Sequence, residues 1–190
     1  MTNLQDLINN RRSIYKFTDK SVDDEILNQA LIAASNAPCH KHTHPWRFYI
    51  LGLDTRNKLI PTITRLAKIK SEKMESKNIK ADAQRAIKKI IQPPLLIAVT
   101  SQKSPNDELR EKEDYAASVC ALHNLVLSLW ENEVGSQWST GSITRDKSTY
   151  EILSIDYQEE EIIGFIKAGY PDKIREVNKK PVDEIVKYLD

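Results

Sequence analysis

The sequence predicts an α+β fold: a central mixed or antiparallel sheet flanked by helices, with one long helix at its heart. Three observations predict it. Strand-like and helical patterns alternate, but the first 46 residues contribute no clear strand, which argues against a doubly wound sheet. The run Leu95–Thr100 (LLIAVT) reads as a continuous apolar stretch, the mark of a strand covered on both faces. The segment from Asp114 to Asn132 is apolar nearly all round, as a central helix or a helix in a large subunit interface must be.

The elements follow in order. Thr2-x-x-Gln5 has the form of a capping box, and Leu4, Leu7 and Ile8 give a short helix its apolar face. Ser21 is the expected N-cap of a second helix. Asp23, Asp24 and Glu25 suit its positive end, and Ile26, Leu27, Ala30, Leu31 and Ala34 form its buried stripe. Asn36-Ala37-Pro38 ends it. Arg47–Leu53 (RFYILGL) is a strand candidate. Residues 55–91 hold one or two polar helices, with Pro61 at an early break or a first turn. Pro93-Pro94 stops them before Leu95–Thr100. After the long helix, Gly135 is the expected C-terminal stop. A short strand (Ser136–Ser139), a loop at Thr140-Gly141, a helix near Lys147–Leu153 and a last strand (Ile162–Ala168) complete the core. The tail beyond Pro171 is charged, with room for one short helix after Pro181.

Composition narrows the function. The chain has 190 residues, with 28 basic against 27 acidic side chains and a formal charge of +1. A single domain over residues 1–190 is expected, and neither a nucleic-acid binder nor a membrane-surface protein fits that balance. Two cysteines, Cys39 and Cys120, make no disulfide scaffold, so a reducing cytoplasm is the expected setting. The polar N-terminus lacks the apolar core of a signal peptide, and the apolar run around Tyr115–Trp130 is broken by Ser118, His123, Asn124 and Ser128.

Three of the four histidines and one cysteine crowd into Cys39–His44. Cys39, His40, His42 and His44 supply ligand types for zinc or copper, and Cys120 and His123 share one face of the long helix. The spacing opposes a metal site. Pro38 and Pro45 bound a loop, there is no paired C-x-x-C or H-E-x-x-H, and a helix this apolar more commonly buries its thiol and histidine. With five glycines, the chain has no G-x-G-x-x-G, Walker A or G-x-S-x-G run. A phosphate would therefore be held by cationic side chains: Arg11, Arg12 and Ser13, with Lys179 and Lys180 as further candidates. Ordinary surface charge is the competing reading. The run Lys68–Lys89 is lysine-rich but carries interleaved acids and no aromatic residue, so a solvated helical face outweighs a nucleic-acid stripe.

Five blocks stand in one order: R-R-S-I-Y-K-F (11–17), A-P-C-H-K-H-T-H-P-W-R-F (37–48), P-P-L-L-I-A-V (93–99), V-G-S-Q-W-S-T-G (134–141) and I-I-G-F-I-K-A-G-Y-P (162–171). Together they resemble the nitroreductase family of FMN-dependent oxidoreductases, nearest to short members whose second block reads A-P-x-H-K-x-x-x-P-W. The resemblance implies an FMN-dependent homodimer with its flavins at the subunit interface. It implies that Arg11, Arg12 and Ser13 hold the phosphate and ribityl side. Asn36 and His40 would reach the flavin from the partner subunit, and Trp138, Ser139 and Thr140 would line the ring. It further implies NADH or NADPH as donor, a ping-pong cycle, and a nitroaromatic, quinone or similar small acceptor. Dehydrogenation, dehalogenation and flavin breakdown are alternatives on the same fold. No residue is expected as a covalent catalyst, since the cofactor carries the chemistry. The chain departs from the family at Tyr15, where a second cation is common, at His44, where many members carry glutamine, and at Ser139, where relatives carry arginine.

Overall fold

The computed structural model describes residues 3–189. Its centre is a four-stranded antiparallel sheet of β1 (Trp46–Ile50), β2 (Leu95–Gln102), β3 (Gly135–Ser139) and β4 (Glu160–Gly169), in the order β1-β2-β4-β3. The helices are α1 (Leu4–Asn10), α2 (Asp24–Ser35), α3 (Leu53–Lys58), α4 (Ile60–Lys73), α5 (Ile79–Ile91), α6 (Glu108–Glu131) and α7 (Lys147–Leu153). The α+β expectation holds, and every pairing between named strands is antiparallel. The parallel component of a mixed sheet survives only as one bridge, between Ser13 and Ser136.

Each face of the sheet carries its own core. On one, α2 and α6 pack Ala30, Ala34, Ala121, Leu125 and Leu129 against Ile97, Val99 and Ile166. The small alanines let the two helices approach the strands closely. On the other, residues of α4, α5 and α7, among them Ile63, Ile90 and Tyr150, cover Leu96, Ala98, Ile162 and Phe165. The two central strands, β2 and β4, are thus buried on both sides, which is why β2 reads as an unbroken apolar run.

Several boundaries differ from expectation, each for a local reason. Thr2 lies outside the described residues; Asn3 is the N-cap of α1, its side chain accepting from the Gln5 backbone N–H at 3.1 Å. The second helix starts at Asp24 with Asp23 as N-cap, not at Ser21. The chain before it stays extended, because Thr18 N–H donates to the Tyr170 carbonyl at 2.9 Å and Phe17 bridges Pro171. Residues 55–91 resolve into parts of three helices, and Pro61 sits in the first turn of α4, where its missing N–H costs nothing. The long helix begins six residues early, at Glu108, because Asp107 caps it.

Gly135 does not stop α6. Glu133 does, at φ 60°: its N–H bonds the Trp130 carbonyl and Val134 N–H bonds the Leu129 carbonyl, the two bonds of a Schellman turn. Gly135 is needed for a different reason. A Cβ there would lie 2.3 Å from Cγ1 of buried Ile14, so its absence lets residues 13–14 seat beside β3.

Candidate functional site

β3 is an edge strand, and its outer side receives the R-R-S segment. The Ser13–Ser136 bridge and the Ile14 N–H bond to the Ser136 carbonyl, 2.9 Å long, fix that segment against it. Arg11, Arg12 and Ser13 are thereby brought to the strand that leads to Ser139, Thr140 and Gly141. The Arg12 guanidinium folds back on the end of α1, donating to the carbonyls of Asn9 (2.6 Å) and Arg11 (2.9 Å). Arg11 points toward the outward side of α6. Together with partial burial of the imidazole, its charge holds the pKa of His123 below the ordinary histidine value, burial being the larger cause.

Strand alternation sorts the rest of β3. Gln137 pairs with Lys167 and Trp138 with Ile166, so Gln137, Ser139 and Lys167 share the face covered by α4 and α5, whereas Trp138 lies on the α6 face. Trp138 donates from Nε1 to the Ile163 carbonyl at 3.2 Å and lies over Gly164, where a Cβ would meet that nitrogen at 2.1 Å. Its ring keeps 40% of its surface exposed. Ser139 and Gly141 border a cavity of about 210 Å³ under α4 and α5. Tyr15, Lys16 and Gln137 border a second, of about 460 Å³. Lys89 and Lys167 line both, so the two form one groove along the edge of the sheet.

Lys167 is the site residue that motif reading passed over. It is 5% exposed, and its ammonium donates to Ser139 Oγ at 3.1 Å. Burial, and secondarily the charge of Lys89, lower its pKa to about 8. Among the described residues no carboxylate stands within ion-pair distance of it. The signal was present: one lysine inside the apolar strand IIGFIKAG.

The other expected group lies elsewhere. Asn36 ends α2, its side-chain amide donating to the Ile32 carbonyl at 2.8 Å. His40 opens a 3-10 turn, with Nδ1 3.8 Å from a Glu113 carboxylate. Glu113 and His123 are ten residues apart on α6, about 15 Å along the axis. Within one chain, therefore, His40 and the arginine pair flank different ends of that helix. The histidine loop is a strained turn, with Lys41, His42 and His44 at φ 49°, 54° and 45°. Thr43 pins it, donating at 2.7 Å to Asp114, a carboxylate buried in α6. Cys39 Sγ lies 3.9 Å from His44 Nδ1, but among the described residues no three His, Cys, Asp or Glu groups gather as metal ligands would. Cys120 and His123 face outward from α6, contrary to the expectation of a buried pair. Lys179 and Lys180 lie in the exposed tail, where Lys180 pairs with Glu184 at 3.3 Å.

The groove is bordered by Lys16, Lys88, Lys89 and Lys167 with Asp19 and Asp172, and Arg11 and Arg12 lie outside its lining. The sequence profile of the Nitroreductase family matches residues 8–170, and the chain belongs to that family. YfhC of Bacillus subtilis (strain 168), provisionally named an NAD(P)H nitroreductase, is 31% identical over 178 residues, covering 93% of this chain and 89% of YfhC. A nitroreductase-like protein from Bacillus cereus superposes with a TM-score of 0.82 at 28% identity, covering 100% of this chain and 97% of the other. An iodotyrosine deiodinase structure bound to FMN and 3-iodo-L-tyrosine shares the fold, with a TM-score of 0.77 at 22% identity over 99% of this chain and 100% of that one.

Proposed function

We propose that the protein is an FMN-dependent oxidoreductase that takes electrons from NADH or NADPH and passes them to a nitroaromatic, quinone or related small acceptor. The observation that carries this reading is the seating of Arg11-Arg12-Ser13 against β3 by the Ser13–Ser136 bridge. Ser13 borders a small cavity that shares Tyr15, Lys16 and Asp172 with the groove, which runs on to Ser139 and Gly141. Family membership and the names of the relatives support it.

FMN, when bound, supplies the hydride exchange between donor and acceptor. The chain supplies the rest. Arg11, Arg12 and Ser13 hold the phosphate by charge-assisted bonds. Ser139, Thr140 and the Thr140-Gly141 backbone carry the ring, with the Trp138 side chain below the strand on its other face. A groove that admits donor and acceptor in turn gives a ping-pong cycle. His40, some 15 Å from the arginine pair along α6, and Asn36 at the end of α2 complete the site from a second copy of the chain. A homodimer also accounts for the apolar side chains left exposed on α1 (Leu4, Ile8), on α6 (Leu109, Tyr115) and in the tail (Ile185, Tyr188, Leu189).

The test is the visible absorbance of freshly purified protein, followed by denaturation and by anaerobic addition of NADH or NADPH. Flavin bands, released FMN and bleaching by either nicotinamide are expected. Bound FMN that neither nicotinamide bleaches would instead favour another flavin reaction, such as dehydrogenation or dehalogenation. A colourless protein that takes up no FMN ends the reading.

A further inference from the structure

Lys167 sits in a strand interior and borders a cleft whose other charged lining residues are Lys16, Lys88, Lys89, Asp19 and Asp172. An ammonium has three N–H donors and no acceptor. One donor goes to Ser139 Oγ. The remaining two face the groove, which Asp19 and Asp172 also border, and among the described residues no carboxylate comes within ion-pair distance of the ammonium. Leaving a buried cation so poorly partnered is costly unless something occupies the groove. Lys89 compounds this, since two like charges border the same cavities and lower the lysine's pKa. The arrangement favours an occupant that is rich in acceptors and gains negative charge.

On the FMN reading above, the occupant's own chemistry says which part lies here. Of the isoalloxazine's two ends, the dimethylbenzene offers a lysine nothing to accept its protons. The pyrimidine end offers two carbonyls and N1, and that end becomes more negative when the cofactor is reduced. Tyr15 borders the same cleft as Lys167 and carries no charge at the position where a second cation is expected; the nearest cation of its own segment, Lys16, borders that cleft too, but Lys167 is the one buried in the sheet. We propose that Lys167 replaces that second cation: reaching the groove from β4 and steadied by Ser139, it holds the N1–C2=O edge of the flavin and makes the site prefer the reduced cofactor. Ser139 is then a positioning residue for the ammonium. The serine that stands where relatives carry arginine and the lysine in the apolar strand are two halves of one device.

The experiment is an anaerobic titration of apo-protein with oxidised FMN and, separately, with dithionite-reduced FMN. It compares wild type with Lys167→Met and Lys167→Arg. Wild type should bind the reduced form more tightly by about tenfold, the scale of one charge-assisted bond. Lys167→Met should weaken binding of reduced FMN by about tenfold more than that of oxidised FMN and so lose the preference, and Lys167→Arg should keep most of it. General loosening of the site would weaken both forms together, so the ratio isolates the charge. Lys167→Gln, titrated the same way, serves if the methionine variant does not fold. An unchanged ratio in the uncharged variant overturns the role of Lys167 and leaves the FMN reading intact. Wild-type protein that binds neither form overturns both.

Discussion

Arg56 and Lys167 are each 5% exposed, yet the molecule uses them in opposite ways. Arg56 spends its fork on carbonyl groups. It donates to Leu51 at 2.7 Å, Pro93 at 2.6 Å and Ile91 at 3.4 Å, tying α3 to the end of α5. Its donors are directed at backbone. Lys167 donates to a single hydroxyl and faces two connected cavities. The difference teaches how to read a buried cation: one satisfied by backbone is a structural bolt, and one left half-satisfied beside a cavity is waiting for a ligand.

Removing the bolt should have the largest effect. Arg56→Met strands buried carbonyls at Leu51 and Pro93 and should lower stability by about 3 kcal/mol or more. A urea midpoint close to wild type would erase the contrast between the two cations. Next comes the anion grip. In the double variant Arg11→Ala/Arg12→Ala, FMN affinity should fall by about 3 kcal/mol, from two charge-assisted bonds at roughly 1.5–3 kcal/mol each. Calorimetry showing undiminished FMN binding would move the phosphate away from the R-R-S segment.

Lys167 should behave in the reverse sense to Arg56. Its folded pKa, about 8, is below the ordinary 10.5, so between those values the unfolded chain binds more protons and stability rises with pH. Below pH 8 the buried charge is a burden, and apo Lys167→Met should be more stable than apo wild type by on the order of 1–2 kcal/mol. The gap should close as pH climbs through that window. Parallel pH–stability curves for the two proteins would show that the ammonium is not desolvated after all. The smallest effect is expected at the histidine loop. Thr43→Val leaves Asp114 with only Arg110 Nε, at 3.4 Å, and should cost about 1 kcal/mol. Thermal unfolding would register it, and a rise in melting temperature would argue that Thr43 does not anchor the turn.

The fold was legible where one period dominated. β2 announced itself because both its faces are covered, and α7 fell on the expected residues because Asp146 caps it and Ser154 ends it in a left-handed turn. Boundaries failed where long-range contacts overrode local signals. Ser21 looked like a cap, but pairing of the preceding segment with Tyr170 and Pro171 delays the helix. Gly135 looked like a stop, but its role is to admit Ile14, which no local rule reveals. The R-R-S segment and the Ser139–Gly141 stretch could be named from their motifs. That Ser13 bridges Ser136, on the strand that leads to Ser139, and that Trp138 and Ser139 face opposite sides, required the pairings of β3. Lys167 escaped because a lone lysine in an apolar strand carries no motif; only its partners, and their scarcity, mark it.

The central claim is that FMN occupies the groove beside β3. The most direct measurement is lysine acylation read by mass spectrometry, with and without saturating FMN. Lys89 and Lys16 border the groove, whereas Lys112 and Lys180 lie outside its lining, paired with Glu108 and Glu184, and Lys68 pairs with Glu72 on the exposed side of α4. FMN should slow acylation of Lys89 and Lys16 and leave Lys68, Lys112 and Lys180 unchanged. Bound FMN with Lys89 and Lys16 reacting at their original rates would place the cofactor elsewhere on the molecule and contradict the account.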